Sequence, residues 1–156
     1  MNDHAALGRD IFVIEKYFRL YFKNALKEYD VNSTEAMVLL AFYEKGGPLK
    51  EDVFKDIHEN QFAKTQDQII SELHYDKAAM TRTMQSLEKK GFVIRKDNPD
   101  DSRSFLFFVT DKANQFKPKL INILKEWNDL LMKDIENIDI VKTATKKMAQ
   151  NARQMI

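Results

Sequence analysis

The chain has 156 residues, 44% hydrophobic and 31% charged, with a formal net charge of +1. That is enough apolar side chain for one core, but too little net charge for a general attraction to nucleic acid or acidic membranes, so any polyanion site must come from local clustering. Zero cysteines exclude a disulfide framework, a thiolate zinc site and a thiol redox switch, and only 4 Gly and 3 Pro favour helices over turn-rich sheets.

The opening MNDHAALGRDIFVIEKYF is interrupted by Arg9, Asp10, Glu15 and Lys16, so it lacks a signal peptide's apolar run. No segment is apolar enough over sufficient length to span a membrane, and a cytoplasmic protein is expected. From Leu7 to Tyr29 the residues Leu7, Ile11, Ile14, Phe18, Tyr21 and Ala25 alternate steps of four and three, while Phe12, Phe22 and Leu26 widen the stripe. This predicts a long amphipathic helix whose apolar face is too wide for a small lobe to cover, and hence dimerisation through the chain ends. Asn32, Ser33 or Thr34 offers an N-cap for a second helix through EAMVLLAFYEK, which Gly46-Gly47-Pro48 closes. A short helix and loop are expected in the polar stretch from Leu49 to Lys64.

Thr65 and Gln68 form a T-x-x-Q capping box that starts a third helix at Gln66. His74-Tyr75-Asp76 is a turn, Asp76 caps the next helix, Met80, Met84 and Leu87 point inward, and Gly91 ends it. Phe92 to Lys96 and Ser104 to Val109 flank DNPDDSR and predict a β-hairpin. Thr110 caps a further helix through Phe116, Leu120, Ile123, Trp127 and Leu130, with a kink expected at Pro118. A last helix starts at about Ile138 and runs through Val141, Thr145, Met148, Ala152 and Met155. The fold class is mostly α with a small β-hairpin wing.

Helix, three-residue turn, helix and hairpin together describe a winged helix-turn-helix, whose second helix enters a major groove while the wing reaches alongside. Charge supports this. Between Lys77 and Lys96 six cations, Lys77, Arg82, Lys89, Lys90, Arg95 and Lys96, face one carboxylate, Glu88, a net of +5. Each phosphate contact releases counterions and adds salt-dependent affinity. With the apolar residues turned inward, the second helix shows Lys77, Ala78, Thr81, Arg82 and Gln85. Arg82 suits guanine, Gln85 suits adenine, and Ala78 or the Thr81 methyl can touch thymine. Arg95 on the first wing strand joins this DNA-binding set. In an isolated helix such a face would simply be solvated; the hairpin that follows reverses the ranking. Arg103 at the hairpin tip suits a narrow minor groove, and Asp101 two residues earlier supports it through a bidentate pair or is an ordinary exposed ion partner.

The stretch ELHYDKAAMTRTMQSLEKKGFVIRKDNPDDSRSFLFFVT, with its D-x-R wing at Asp101 and Arg103 and its closing Val109-Thr110, resembles the DNA-binding lobe of the MarR family of transcription regulators. The likeness covers the chain as a single unit over 1–156, with a lobe at 32–110 and dimerisation helices at 5–30 and 111–156. The segment from Leu49 to Lys64 is longer than the family's usual link, and Ala113 stands where the family often has Gly. The resemblance implies a homodimeric repressor of a pseudo-palindromic double-stranded operator, released by a small aromatic ligand. Tyr17, Tyr21 and Trp127 are the candidates to border that ligand.

No cofactor, metal or enzymatic activity is expected. His4, His58 and His74 lack ligand spacing, and although His58 with Glu51, Asp56 and Glu59 has zinc-binding chemistry, solvated surface accounts for it better. Phosphate-loop and hydrolase motifs are missing. The rival function is a winged-helix protein-interaction module that never touches DNA; such a docking face would replace Arg82 and Arg103 with apolar residues.

Overall fold

A computed structural model describes residues 3–43 and 63–155. Its elements are helices α1 (Asp3–Leu26) and α2 (Ser33–Tyr43), strand β1 (Lys64–Thr65), helices α3 (Gln66–Leu73) and α4 (Lys77–Lys89), strands β2 (Val93–Asp97) and β3 (Phe105–Val109), and helices α5 (Asp111–Leu131) and α6 (Ile138–Arg153). The chain divides into two compact units, Met1–Ile123 and Leu124–Ile156. Helices dominate, and one small antiparallel sheet completes a winged helix-turn-helix. Among the described residues no helix is long and apolar enough to cross a membrane.

The first unit's core takes Phe22 and Leu26 from α1, nearly all of α2, Ile69 from α3, and Met80, Met84 and Leu87 from α4. Phe92, Val93, Phe107 and Phe108 add the sheet's inner face, and Ala113, Phe116, Leu120 and Ile123 contribute one stripe of α5. Steps of three and four along α4 and α5 are what a helix packed on one side requires. Before α2 the chain makes a 3-10 turn at Lys27–Tyr29 and a left-handed residue at Asp30. Asn32 then caps α2: its Oδ1 accepts the Glu35 amide at 2.9 Å, and a Glu35 oxygen accepts the Asn32 amide at 2.9 Å. Two orphan donors of the helix start are thereby satisfied by one reciprocal pair. At the other end of α2, the buried Tyr43 hydroxyl donates to the Ala113 carbonyl at 2.6 Å, and burial raises its pKa well above the usual phenol range.

The expected two-stranded hairpin is a three-stranded sheet of order β1-β3-β2, with Lys64 opposite Phe107 and Thr65 opposite Leu106. Thr65 serves two elements at once. Its φ of −77° and ψ of 158° are extended, so it pairs with β3, and the same conformation is what an N-cap needs; its side chain accepts the Gln68 amide while Gln68 answers on the Thr65 amide. Lys64 is buried, with its ammonium on Glu72 of α3. The helix expected from Leu49 lies outside the described residues, as do Gly46-Gly47-Pro48 and the possible zinc group around His58.

α4 ends in a Schellman arrangement: the Gly91 amide donates to Glu88 and the Phe92 amide to Leu87, with Gly91 at φ 78°. Thr110 then pins the root of the wing, its hydroxyl donating to the Gly91 carbonyl at 2.6 Å and its amide to Phe92 at 3.0 Å. α5 continues as one helix through Pro118. In α6 no side chain is buried within this single chain.

Candidate nucleic-acid interface

The turn between α3 and α4 is made by left-handed His74, which donates its amide to Ile70, and by Asp76, whose carboxylate accepts the Ala79 amide at 2.8 Å. These caps fix where α4 begins and therefore which residues face outward. Lys77, Ala78, Arg82 and Gln85 are exposed, whereas Met80, Met84 and Leu87 are buried. Arg82 has no ion-pair partner among the described residues, so its guanidinium is available to a ligand. Thr81 is only half-exposed. Its hydroxyl donates to the Lys77 carbonyl at 2.9 Å and accepts from the Gln66 amide nitrogen at 2.7 Å.

The wing tip is shaped by its own asparagine and aspartates. Asn98 Oδ1 accepts the Asp100 amide at 3.0 Å, Asp101 Oδ1 accepts the Arg103 amide at 3.0 Å, and Asn98 Nδ2 donates to Ser104 Oγ at 2.8 Å. Short polar side chains that bond the backbone two residues on are turn builders. Asp101 thus acts mainly on the backbone. Its contact with the Arg103 side chain is a single one, Nε to Oδ1 at 3.5 Å, which matches the ordinary exposed ion partner of the two alternatives and not the bidentate pair; the Arg103 side chain stays 91% exposed.

Arg95 lies on β2 with its guanidinium carbon 4.5 Å from the centre of the Phe105 ring and Nε 3.7 Å from a Glu88 oxygen. It is exposed, but held between a ring face and a carboxylate, so it presents a fixed rather than a roaming charge. Lys90 differs. Its ammonium sits 2.9 Å and 3.1 Å from the two oxygens of Glu35 and 2.9 Å from the Asp30 carbonyl. The local charge of the reading lobe is correspondingly smaller than the sequence window suggests, because Lys90 is neutralised from α2.

Glu35 is fully buried, and its carboxylate also accepts from Ser86 Oγ at 2.6 Å. Burial on its own raises the pKa of this carboxyl, but the Ser86 hydroxyl, the Asn32 amide and Lys90 together outweigh it and hold it below the usual range. The cluster ties the end of α4 to the start of α2. Sequence reasoning missed Glu35, although N-x-x-E at 32–35 is a capping-box pattern. It also missed Gln66, whose partner lies 15 residues on across the turn, a spacing that carries no sequence signal.

Tyr17 is exposed on α1, and the Tyr21 hydroxyl donates to the Ile123 carbonyl at 3.1 Å. Trp127, in the second unit, is half-buried. Among the described residues no group of three or more His, Cys, Asp or Glu is placed to hold a metal.

The model of the MarR family matches residues 54–105, which include all of α3, α4 and β2. Among curated proteins, the HTH-type transcriptional regulator BilQ of Clostridioides difficile is 28% identical over 148 residues, covering 89% of each chain. Among solved structures, a MarR transcriptional regulator from Methanosarcina mazei superposes with a TM-score of 0.79 at 21% identity, over 97% of this chain and 99% of its own. A MarR family regulator from Listeria monocytogenes, solved in complex with a 26mer DNA, gives a TM-score of 0.73 at 25% identity over 94% of this chain and 88% of its own. These relatives are regulators, not enzymes.

Proposed function

We infer, from the chain's membership of the MarR family of DNA-binding transcription regulators, that it acts as a homodimeric repressor of a pseudo-palindromic operator and releases it on binding a small aromatic ligand. The observation that carries the DNA half is the outward face of α4, where Lys77, Ala78, Arg82 and Gln85 are exposed over a buried Met80-Met84-Leu87 stripe. α4 is the recognition helix, with Arg82 and Gln85 reading base edges, Lys77 and Arg95 meeting phosphates, and Arg103 at the wing tip entering the minor groove. Asp101 shapes the loop that carries Arg103. A protein-docking module would expose apolar groups at these places.

Dimerisation is supported by side chains that one chain leaves in water. On α1, Leu7, Ile11, Phe12, Ile14 and Tyr17 are exposed, and on α6 so are Ile138, Ile140 and Met148. Large apolar side chains left exposed on a helix are what an interface would cover. The lobe at 32–110 therefore reads DNA, while 5–30 and 111–156 join two copies. Tyr17 is the exposed aromatic hydroxyl of α1 that an aromatic ligand would meet.

The test is selection of duplexes from a random-sequence pool by the full-length chain. An inverted repeat with half-sites about one helical turn apart is the expected product; enrichment of no sequence at all would refute the reading.

A further inference from the structure

We propose that Gln66 is a positioning residue that makes Thr81 a reader of the thymine 5-methyl group, so that the operator base facing Thr81 is a 5-methylpyrimidine. The proposal rests on the reading of α4 as the recognition helix and deepens it. A threonine hydroxyl has one proton and two lone pairs. In Thr81 the proton goes to the Lys77 carbonyl at 2.9 Å, and one lone pair takes the Gln66 N–H at 2.7 Å. None is left for the acceptors that guanine, adenine or thymine show in the major groove. What Thr81 keeps is one lone pair and its methyl.

A bond from threonine to the carbonyl four residues back is common on helices and easily exchanged. Thr83 makes the same bond to Ala79 at 2.9 Å, and among the described residues its hydroxyl has no second side-chain partner. Thr81 differs because Gln66 closes the rotor from outside the helix. The backbone of Gln66 is set by its place after the Thr65 cap, whose reciprocal bonds with Gln68 set the first turn of α3 and so aim the Gln66 side chain from α3. The helix-turn-helix thus carries a small lock: α3 holds the hydroxyl of a residue on α4, and the chemistry left to that residue is apolar.

A single buried methyl changes affinity about four-fold. The experiment uses the full-length chain and the operator recovered from random duplexes, with each thymine replaced in turn by deoxyuridine, which removes only the methyl. One thymine per half-site should weaken binding about four-fold as uracil, and cytosine at that position should gain by a similar factor on 5-methylation. Thr81→Ser should abolish the difference, Thr81→Val should keep it, and Gln66→Leu should reduce it by freeing the hydroxyl. If the residual lone pair governs recognition instead, cytosine will beat uracil irrespective of methylation, and the proposal fails. It also fails if every uracil is neutral on a sequence-specific operator, or if Thr81→Ser retains the methyl dependence; in these cases the regulator reading survives. Failure to prefer any duplex sequence would overturn both. The substitutions in DNA leave the protein untouched, so misfolding of a variant cannot mimic the result.

Discussion

Glu35 at the start of α2 and Lys90 just beyond the end of α4 form an ion pair at 2.9 Å across 55 residues of sequence, with the carboxylate fully buried. A buried carboxylate left without its cation is costly, because desolvation is no longer offset. Lys90→Met should lower unfolding stability by about 3 kcal/mol, read as a drop in urea midpoint at unchanged slope. Glu35→Gln should cost less, since the amide still accepts from Ser86.

The same carboxyl gives the fold an acid limit. Its pKa is held below the ordinary value in the folded chain, so the stability it contributes is fully present above the unfolded carboxyl's pKa and is lost as pH falls through the lower folded value. Between neutral pH and about pH 5 this group should leave stability flat, and below about pH 4 stability should fall. Urea titrations of Glu35→Gln at successive pH values should show a shallower loss in that acid range; an unchanged profile would show that other carboxyls govern it.

Arg82→Ala should reduce operator affinity by about 1 to 3 kcal/mol and flatten discrimination among sequences, as expected for loss of a bidentate base contact. Lys77→Ala should instead weaken all duplexes alike and reduce the salt slope by about one. Arg103→Ala should weaken binding most where the flanking minor groove is narrow. Fluorescence anisotropy at several salt concentrations separates the three, and parental affinity in both arginine variants would remove the basis for the reading head.

Phe12 is 68% exposed on α1 and Ile140 68% exposed on α6. Phe12→Glu and Ile140→Glu should each shift the chain from dimer to monomer at micromolar concentration in sedimentation, and should weaken operator binding without touching the lobe. A monomeric parent chain would remove the case for two half-sites.

Ligand and DNA must oppose each other by equal factors if both act through one equilibrium. Calorimetry with aromatic carboxylates, with and without operator, should show ligand affinity lower on the DNA-bound protein. Equal affinity in both states, for every compound that binds, would make the binding incidental.

The reading lobe was legible where a local rule and the tertiary need coincide. Met80, Met84 and Leu87 obey the helical period and are the residues that α4 buries; the Thr65-Gln68 box, Asp76 and Gly91 carry local capping chemistry and stand at the ends they mark. Legibility failed where the partner is distant. Nothing local announces that Glu35 will meet Ser86 51 residues later, nor that Lys64-Thr65, two residues with no alternating pattern, will pair with β3. Lys90 enters the net charge of the 77–96 window because sequence shows its charge and not its counterion, Glu35. On α1, the stripe was visible, but only its C-terminal end, Phe22 and Leu26, is covered within one chain.

Thr65 is the last residue of β1 and the cap of α3, so the wing and the helix-turn-helix meet in one peptide unit. A seam of that kind leaves no hinge between them. The lobe should open and close to solvent as one cooperative block, with the β1–β3 ladder and the first turn of α3 exchanging their amide protons at a common rate. Under the proposed regulation, a signal that released DNA would have to move the lobe as a whole rather than lift the wing away from the helix beside it.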